Sequence, residues 1–186
     1  MPISRIETNS IAPSQTLTTP IIATTMGVGG ATPSASGSGI TFPATQSAST
    51  DANTLDDYEE GSWTPSIAGT SIVMGSGNAG SYTKIGRMVF FQAFVILSSG
   101  TPTGAQITGL PFVTPNSDNS NYAMGVSMFN NSGIAFPASK TYPSFYVNRS
   151  SSSIFMEASG SSQPSAGLTL SSSFSIYVAG CYISAA

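Results

Sequence analysis

From Ser62 onward, short runs of apolar, β-branched and aromatic residues alternate with stretches rich in Gly, Ser, Pro and Asn. Trp63 to Ile67 alternates weakly between apolar and polar positions. Ser81 to Arg87 leads into Met88–Leu97, a run interrupted only by Gln92 and apolar at both odd and even positions. Such a run reads as a strand buried on two faces. Further strand candidates are Ala105–Thr108, Tyr122–Phe129, Ser144–Asn148, Ile154–Ala158 and Phe174–Ile183. Ser98–Gly104 and Thr114–Asn119 read as the turns that divide them. No long segment keeps a helical spacing of apolar positions with caps. The pattern predicts an all-β fold over residues 62–186, an antiparallel β-sandwich of jelly-roll type. Strands apolar on both faces carry more apolar surface than one small core needs. Covering the surplus with other copies would stabilise an assembly by roughly 25 cal/mol per Å², so the domain is expected to oligomerise.

Residues 8–50 break this pattern. They hold no charge, and 32 of the 43 are Ser, Thr, Pro, Gly or Ala, too little apolar surface to offset the ordering entropy of an isolated fold. Ile11, Leu17, Ile21, Ile22, Met26, Val28, Ile40 and Phe42 are spaced along the stretch. These give a partner surface something to grip. Residues 1–50 therefore read as an extended N-terminal attachment arm that orders on a partner or on other copies. Residues 51–61 read as an acidic connector, because Asp51, Asp56, Asp57, Glu59 and Glu60 are five of the eight acids. The expectation for them is a solvated turn or short helical collar outside the folded domain. Their spacing does not match the twelve-residue calcium loop.

Composition and charge narrow the function. Hydrophobic residues make up 40% of the 186, enough for a core, whereas charged residues make up 7%, against about 25% in soluble domains. A surface built from Ser, Thr, Asn and Gly suits an assembly whose faces are covered. Net charge is −3, and Arg5, Lys84, Arg87, Lys140 and Arg149 are scattered. Nucleic-acid binding requires clustered cations, so no nucleic-acid partner is expected. No run reaches the ~18 apolar residues of a bilayer span, and Met1–Glu7 lacks the basic and apolar parts of a signal peptide. Membrane insertion is not expected, and assembly in a cytoplasm is. Cys181, in an apolar run, reads as an inert buried thiol.

Little catalytic chemistry is on offer. The chain has no His and one Cys, which leaves no zinc set, and Gly27–Gly30 is not followed by the Lys and Ser/Thr of a phosphate loop. Lys84 and Lys140 read as strand-flanking and loop positions, without a part as catalytic base. No enzyme activity and no cofactor are expected. Paired carboxylates are the one route left, with Asp118 and Glu157 as its candidates, in a rival reading as a carbohydrate depolymerase. Two loop clusters stand out for recognition: Asn116, Asp118, Asn119 and Asn121 in one, Tyr142, Tyr146 and Arg149 in the other. Ring stacking and hydrogen bonds there would suit a host surface glycan, also in the rival reading as a free lectin.

Two segments carry a resemblance. Gly29–Ala44 (GGATPSASGSGITFPA) and Asp51–Pro65 (DANTLDDYEEGSWTP) resemble segments that precede a β-rich domain in structural proteins of tailed phages, notably marine and cyanobacterial ones. Tyr82–Gly86 (YTKIG) and Ile107–Phe112 (ITGLPF) are similar to elements inside that domain. The resemblance covers roughly residues 29–113. It implies a homotrimeric particle appendage of tail-fibre or spike type, located in the virion and docked to capsid or tail proteins through the arm. The chain departs from longer fibres in having no extended shaft before the β-domain. The same parts also suit a capsid cement or decoration protein, or a head fibre.

Overall fold

A computed structural model describes residues 25–34, 36–45, 49–51, 53–116, 127–160 and 163–185, with the side chains of 127–131, 163 and 164 outside the description. The described residues form strands and no helix, and fall into two compact units that divide after Pro43. In the first, β1 (Thr25–Gly27) and β2 (Gly39–Thr41) pair in parallel. The chain between them turns back through Gly29, Gly30 and Gly37, whose positive φ values are costly for residues with a Cβ. The Thr25 hydroxyl donates to the Ser34 carbonyl at 2.7 Å, and the Ser34 N–H donates to Oγ1 of Thr41 at 3.2 Å. This stretch of the expected arm is therefore folded back, not extended. Met26 and Ile40 are register partners, 40% and 54% exposed. Val28 and Phe42 are half-buried. Ile11, Leu17, Ile21 and Ile22 lie outside the described residues.

The second unit is one antiparallel sheet of nine strands. They are β3 (Tyr58–Trp63), β4 (Ser66–Met74), β5 (Ala79–Ile85), β6 (Met88–Thr108), β7 (Ser127–Ala135), β8 (Tyr142–Val147), β9 (Ser153–Gly160), β10 (Gln163–Gly167) and β11 (Thr169–Ile183). β6, 21 residues long, is its spine. The N-terminal half of β6 pairs with β5 and β11, and its C-terminal half with β4 and β9. β3 adds to β5, β7 to β11, and β8 and β10 to β9. The sheet thus has two wings that share β6: β3-β5-β6-β11-β7 and β4-β6-β9-β8. Strand alternation buries Val89, Phe91, Ala93, Val95, Leu97 and Ile107 along β6. Ile176, Val178 and Tyr182 from the first wing join the same cluster as Val147, Ile154 and Met156 from the second. One core serves both wings.

Three local devices set the register. Gly86 opens the two-residue turn between β5 and β6 at φ 55°, where glycine is favoured. β4 and β5 lie end to end along one edge of β6, and the loop between them is closed by Asn78. Its side-chain oxygen accepts the Ile96 N–H at 3.3 Å, and its amide donates to the Pro65 carbonyl at 2.7 Å. After β11, the Ser184 N–H donates to the Arg87 carbonyl at 2.8 Å, and Arg87 Nε donates back to the Ser184 carbonyl at 3.2 Å.

The segment expected as a turn, Ser98–Gly104, is instead the middle of β6. Gly100 sits where the pairing of β6 with β4 shifts register. Gly100 has φ 142°, and a Cβ there would come within 3.0 Å of the Ile72 Cα, where β4 runs irregularly through Ser71 at φ 53°. The strand expected from Trp63 to Ile67 is broken at Thr64-Pro65 into the end of β3 and the start of β4. Pro65 lacks the N–H that a ladder uses. Of the candidate Tyr122–Phe129, Ser127–Phe129 belongs to β7, and residues 117–126 lie outside the described residues.

Two aromatic rings lie over two glycines and hold β3 to β5. Trp63 is opposite Gly80, and Gly61 is opposite Tyr82. A Cβ at Gly80 would overlap the Trp63 indole, and one at Gly61 would come within 2.6 Å of the Tyr82 hydroxyl oxygen. Each ring covers backbone that would otherwise be bare, a cross-strand contact that favours this register. Trp63 also meets Phe91 edge-on at 6.2 Å. Gly80→Ala should therefore displace the indole and lower stability by roughly 1–3 kcal/mol. Urea unfolding followed by the fluorescence of Trp63, the chain's single tryptophan, would measure it; unchanged stability would mean the ring does not need that space.

Candidate functional site

The first wing's outward face is the candidate. Register places Tyr58, Ile85, Met88 and Ile183 in one row across β3, β5, β6 and β11. Glu60, Thr83, Phe90 and Cys181 form the next row, followed by Ser62, Ser81, Gln92 and Ala179. Ala79, Phe94 and Tyr177 form the fourth. Phe90 is 49% exposed and Tyr177 47%. The Phe94 and Tyr177 rings stack at 4.2 Å with 12° between their planes. Glu60 is the one charged side chain in the four rows, and its carboxylate accepts the Tyr58 hydroxyl. Between the Phe94–Tyr177 ridge and the Tyr58–Ile85 row lies an open groove of about 470 Å³, lined by Glu60, Ser81, Thr83, Phe90, Gln92 and Ala179.

This geometry corrects the expectation for Met88–Leu97. Among the described residues the strand is buried on one face only, by its odd-numbered positions. The even-numbered positions, apolar apart from Gln92, look outward. Among the described residues the fold buries one face of this run and leaves Phe90 exposed, with Met88, Phe94 and Ile96 half-buried, on the other. Cys181 stands on the outward face and is half-buried.

Beneath this face the acidic stretch is part of the domain, which corrects its reading as a solvated connector. Asp57 and Lys84 are both buried and form an ion pair. Lys84 Nζ also lies 5.4 Å from the centre of the Phe112 ring, a cation–π contact in a water-poor place. The Phe112 N–H donates to the Tyr182 hydroxyl at 3.1 Å, and the Tyr82 ring meets Phe112 edge-on at 5.3 Å. Burial pushes the Tyr182 phenol well above its ordinary value. The remaining acids of the stretch have donors too. Glu59 accepts the Tyr82 hydroxyl, the Ser49 N–H donates to Asp56 at 2.7 Å, and the Asn53 N–H donates to Asp51 at 2.9 Å. Strand pairing distributes the acids, so Asp57 and Glu59 turn inward while Glu60 turns out.

Ser81 and Lys84 have the Ser-x-x-Lys spacing of a serine–lysine nucleophile, a match that spacing alone reveals and that the reading of Lys84 as strand-flanking passed over. On a helix that spacing brings the two side chains to one face. On β5 it separates them. Ser81 looks outward and accepts from Gln92 at 3.2 Å, whereas Lys84 is buried on Asp57.

The expected receptor loops fare differently. Asn116 ends a described stretch, and Asp118, Asn119 and Asn121 lie outside the described residues. Tyr142 and Tyr146 belong to a strand, β8, and only Arg149 lies in the turn after it. The structure brings Tyr142 and Tyr146 to the second wing's outer face and leaves Arg149 apart from them in the register. No family model, curated protein or solved structure matches the chain.

Two outcomes follow from the buried pair and its neighbour. Lys84→Met leaves Asp57 buried without its cation and should lower stability by about 3–5 kcal/mol, while Lys84→Met with Asp57→Leu should regain most of it. Urea midpoints of the two variants would decide; a double variant as weak as the single one would show that the pair itself stabilises. The hydrogen bond to Glu59, with burial second, raises Tyr82 from 10.0 to about 12. A raised phenol favours the protonated, folded form, so its contribution is complete below pH 10 and is lost as pH rises toward 12. Glu59→Gln should move that tyrosine's ionisation back toward 10, read from tyrosinate absorbance in an alkaline titration.

Proposed function

We propose that this chain is a non-enzymatic structural protein of a phage particle, a homotrimeric surface appendage of tail-fibre type. Residues 1–50 attach it to capsid or tail proteins, and the first wing's outward face is where copies meet. That face carries the reading: four cross-strand rows with three exposed aromatics, a stacked ridge, a groove beside it and a single charge. An antiparallel sheet that faces water usually alternates apolar side chains inward with polar or charged ones outward. Apolar patches left open on such a sheet mark an interaction surface. A ridge and a groove on one face suit packing against copies of the same face around a shared axis. The 7% of charged residues supports the same reading, since a chain with so little charge keeps its surface soluble best by covering it. Two wings over one core fit a sandwich of jelly-roll type. The likeness of Gly29–Ala44 and Asp51–Pro65 to segments of tailed-phage structural proteins supports the particle as its setting.

Light scattering on the recombinant chain should give a trimer. Phe90→Glu with Tyr177→Glu should give a folded monomer, with the circular dichroism of the sheet retained. A monomer at micromolar concentration for the unaltered chain would refute the trimer. Gel densitometry of purified particles should find the protein in a handful of trimers. Hundreds of copies would assign it to capsid decoration instead, and absence from particles would refute both.

A further inference from the structure

The second wing's outer face presents a different chemistry. β8 and β9 set Tyr142 opposite Ser159, Ser144 opposite Glu157 and Tyr146 opposite Phe155, and Phe155 is opposite Gln106 on β6. Val147, Ile154, Met156 and Ala158 fill the inner side of these strands, so alternation turns the first set outward. Tyr142 is 67% exposed. The Tyr146 and Phe155 rings stack at 5.2 Å with 13° between their planes. The Tyr146 hydroxyl donates to the Glu157 carboxylate at 3.0 Å, which fixes the carboxylate beside the rings. Tyr142 and Tyr146 are four residues apart on one strand, a separation of ~13 Å, with Ser144 and Glu157 between them.

We propose that this face binds a neutral oligosaccharide. A pyranose has a C–H face that packs on an aromatic ring and a rim of hydroxyls that each need a donor or an acceptor. Tyr142 offers one ring and the Tyr146–Phe155 stack another, too far apart for a single sugar to touch both, so the ligand has several units. The polar groups stand between and beside the rings. A carboxylate accepts up to about four hydrogen bonds, and Tyr146 takes one at Glu157, which leaves acceptors for a pair of sugar hydroxyls. The Gln106 carboxamide offers both donor and acceptor next to Phe155. A fixed carboxylate in the middle of the face disfavours uronates and phosphorylated sugars by like-charge repulsion. This site lies on the other wing from the face where copies are proposed to meet, and it stands whether or not the chain is a trimer.

Saturation-transfer NMR on the full chain tests it, with maltotriose, cellotriose, mannotriose and triacetylchitotriose as neutral probes at millimolar concentration and trigalacturonate as the acidic one. At least one neutral trisaccharide should bind, trigalacturonate should not, and Tyr142→Ala should weaken binding by about tenfold or more. Tyr142 is exposed, so its truncation leaves the core intact. Glu157→Gln, which keeps the shape and loses the charge, should admit trigalacturonate. Binding of none of the neutral probes, or binding that survives Tyr142→Ala combined with Glu157→Ala, would overturn the proposal.

Discussion

Every strand of the nine-stranded sheet is hydrogen-bonded to β6 or to a strand that is. Both edges of β6 are occupied along its N-terminal half, and the alternation of its side chains chooses the core of both wings at once. A slip of one residue would turn Val89, Phe91, Val95 and Ile107 outward together and bring Phe90, Gln92 and Phe94 in. The Gly86 turn, the Asn78 side chain in the ladder at Ile96 and the rings of Trp63 and Tyr82 over their glycines all resist that slip. Each is a local contact, and each acts on the same register.

Alternation was legible where side chains are large. Met88–Leu97, Ile154–Ala158 and Phe174–Ile183 can be read as strands because bulky apolar residues recur along them. β4 was harder, since SIAGTSIVM mixes small and polar residues and its ladder shifts register three times. Ser98–Gly104 carries the local marks of a turn, yet pairing with the neighbouring strand outweighs them and Gly100 ends up at a register shift inside a paired strand. The Asp57–Lys84 pair was beyond sequence reading for another reason. Charge clustering along the chain says nothing about which face each acid takes, and these two residues, 27 apart, meet only when β3 is laid on β5.

The outward faces of the two wings differ in a way that no composition average reveals. The first is nearly uncharged and carries a stacked ridge beside a groove; the second joins stacked rings to a carboxylate held by a tyrosine hydroxyl. Tyr142 and Tyr146 could be singled out in the sequence as recognition residues. Phe155, Glu157 and Gln106 become their neighbours only through strand pairing. The difference between them is physical: a nearly uncharged face loses little by leaving water, whereas a face with a fixed carboxylate needs hydroxyls or water to satisfy it.

The hydrogen bonds between Arg87 and Ser184 join residues 97 positions apart. β6 leaves the ribosome long before β11 does, so for much of translation one edge of the spine has no partner strand. The rows that carry Phe90 and Tyr177 cannot exist until β11 has docked. That face is therefore finished only with the last strand, and a chain still short of β11 presents neither Tyr177 nor the Phe94–Tyr177 ridge.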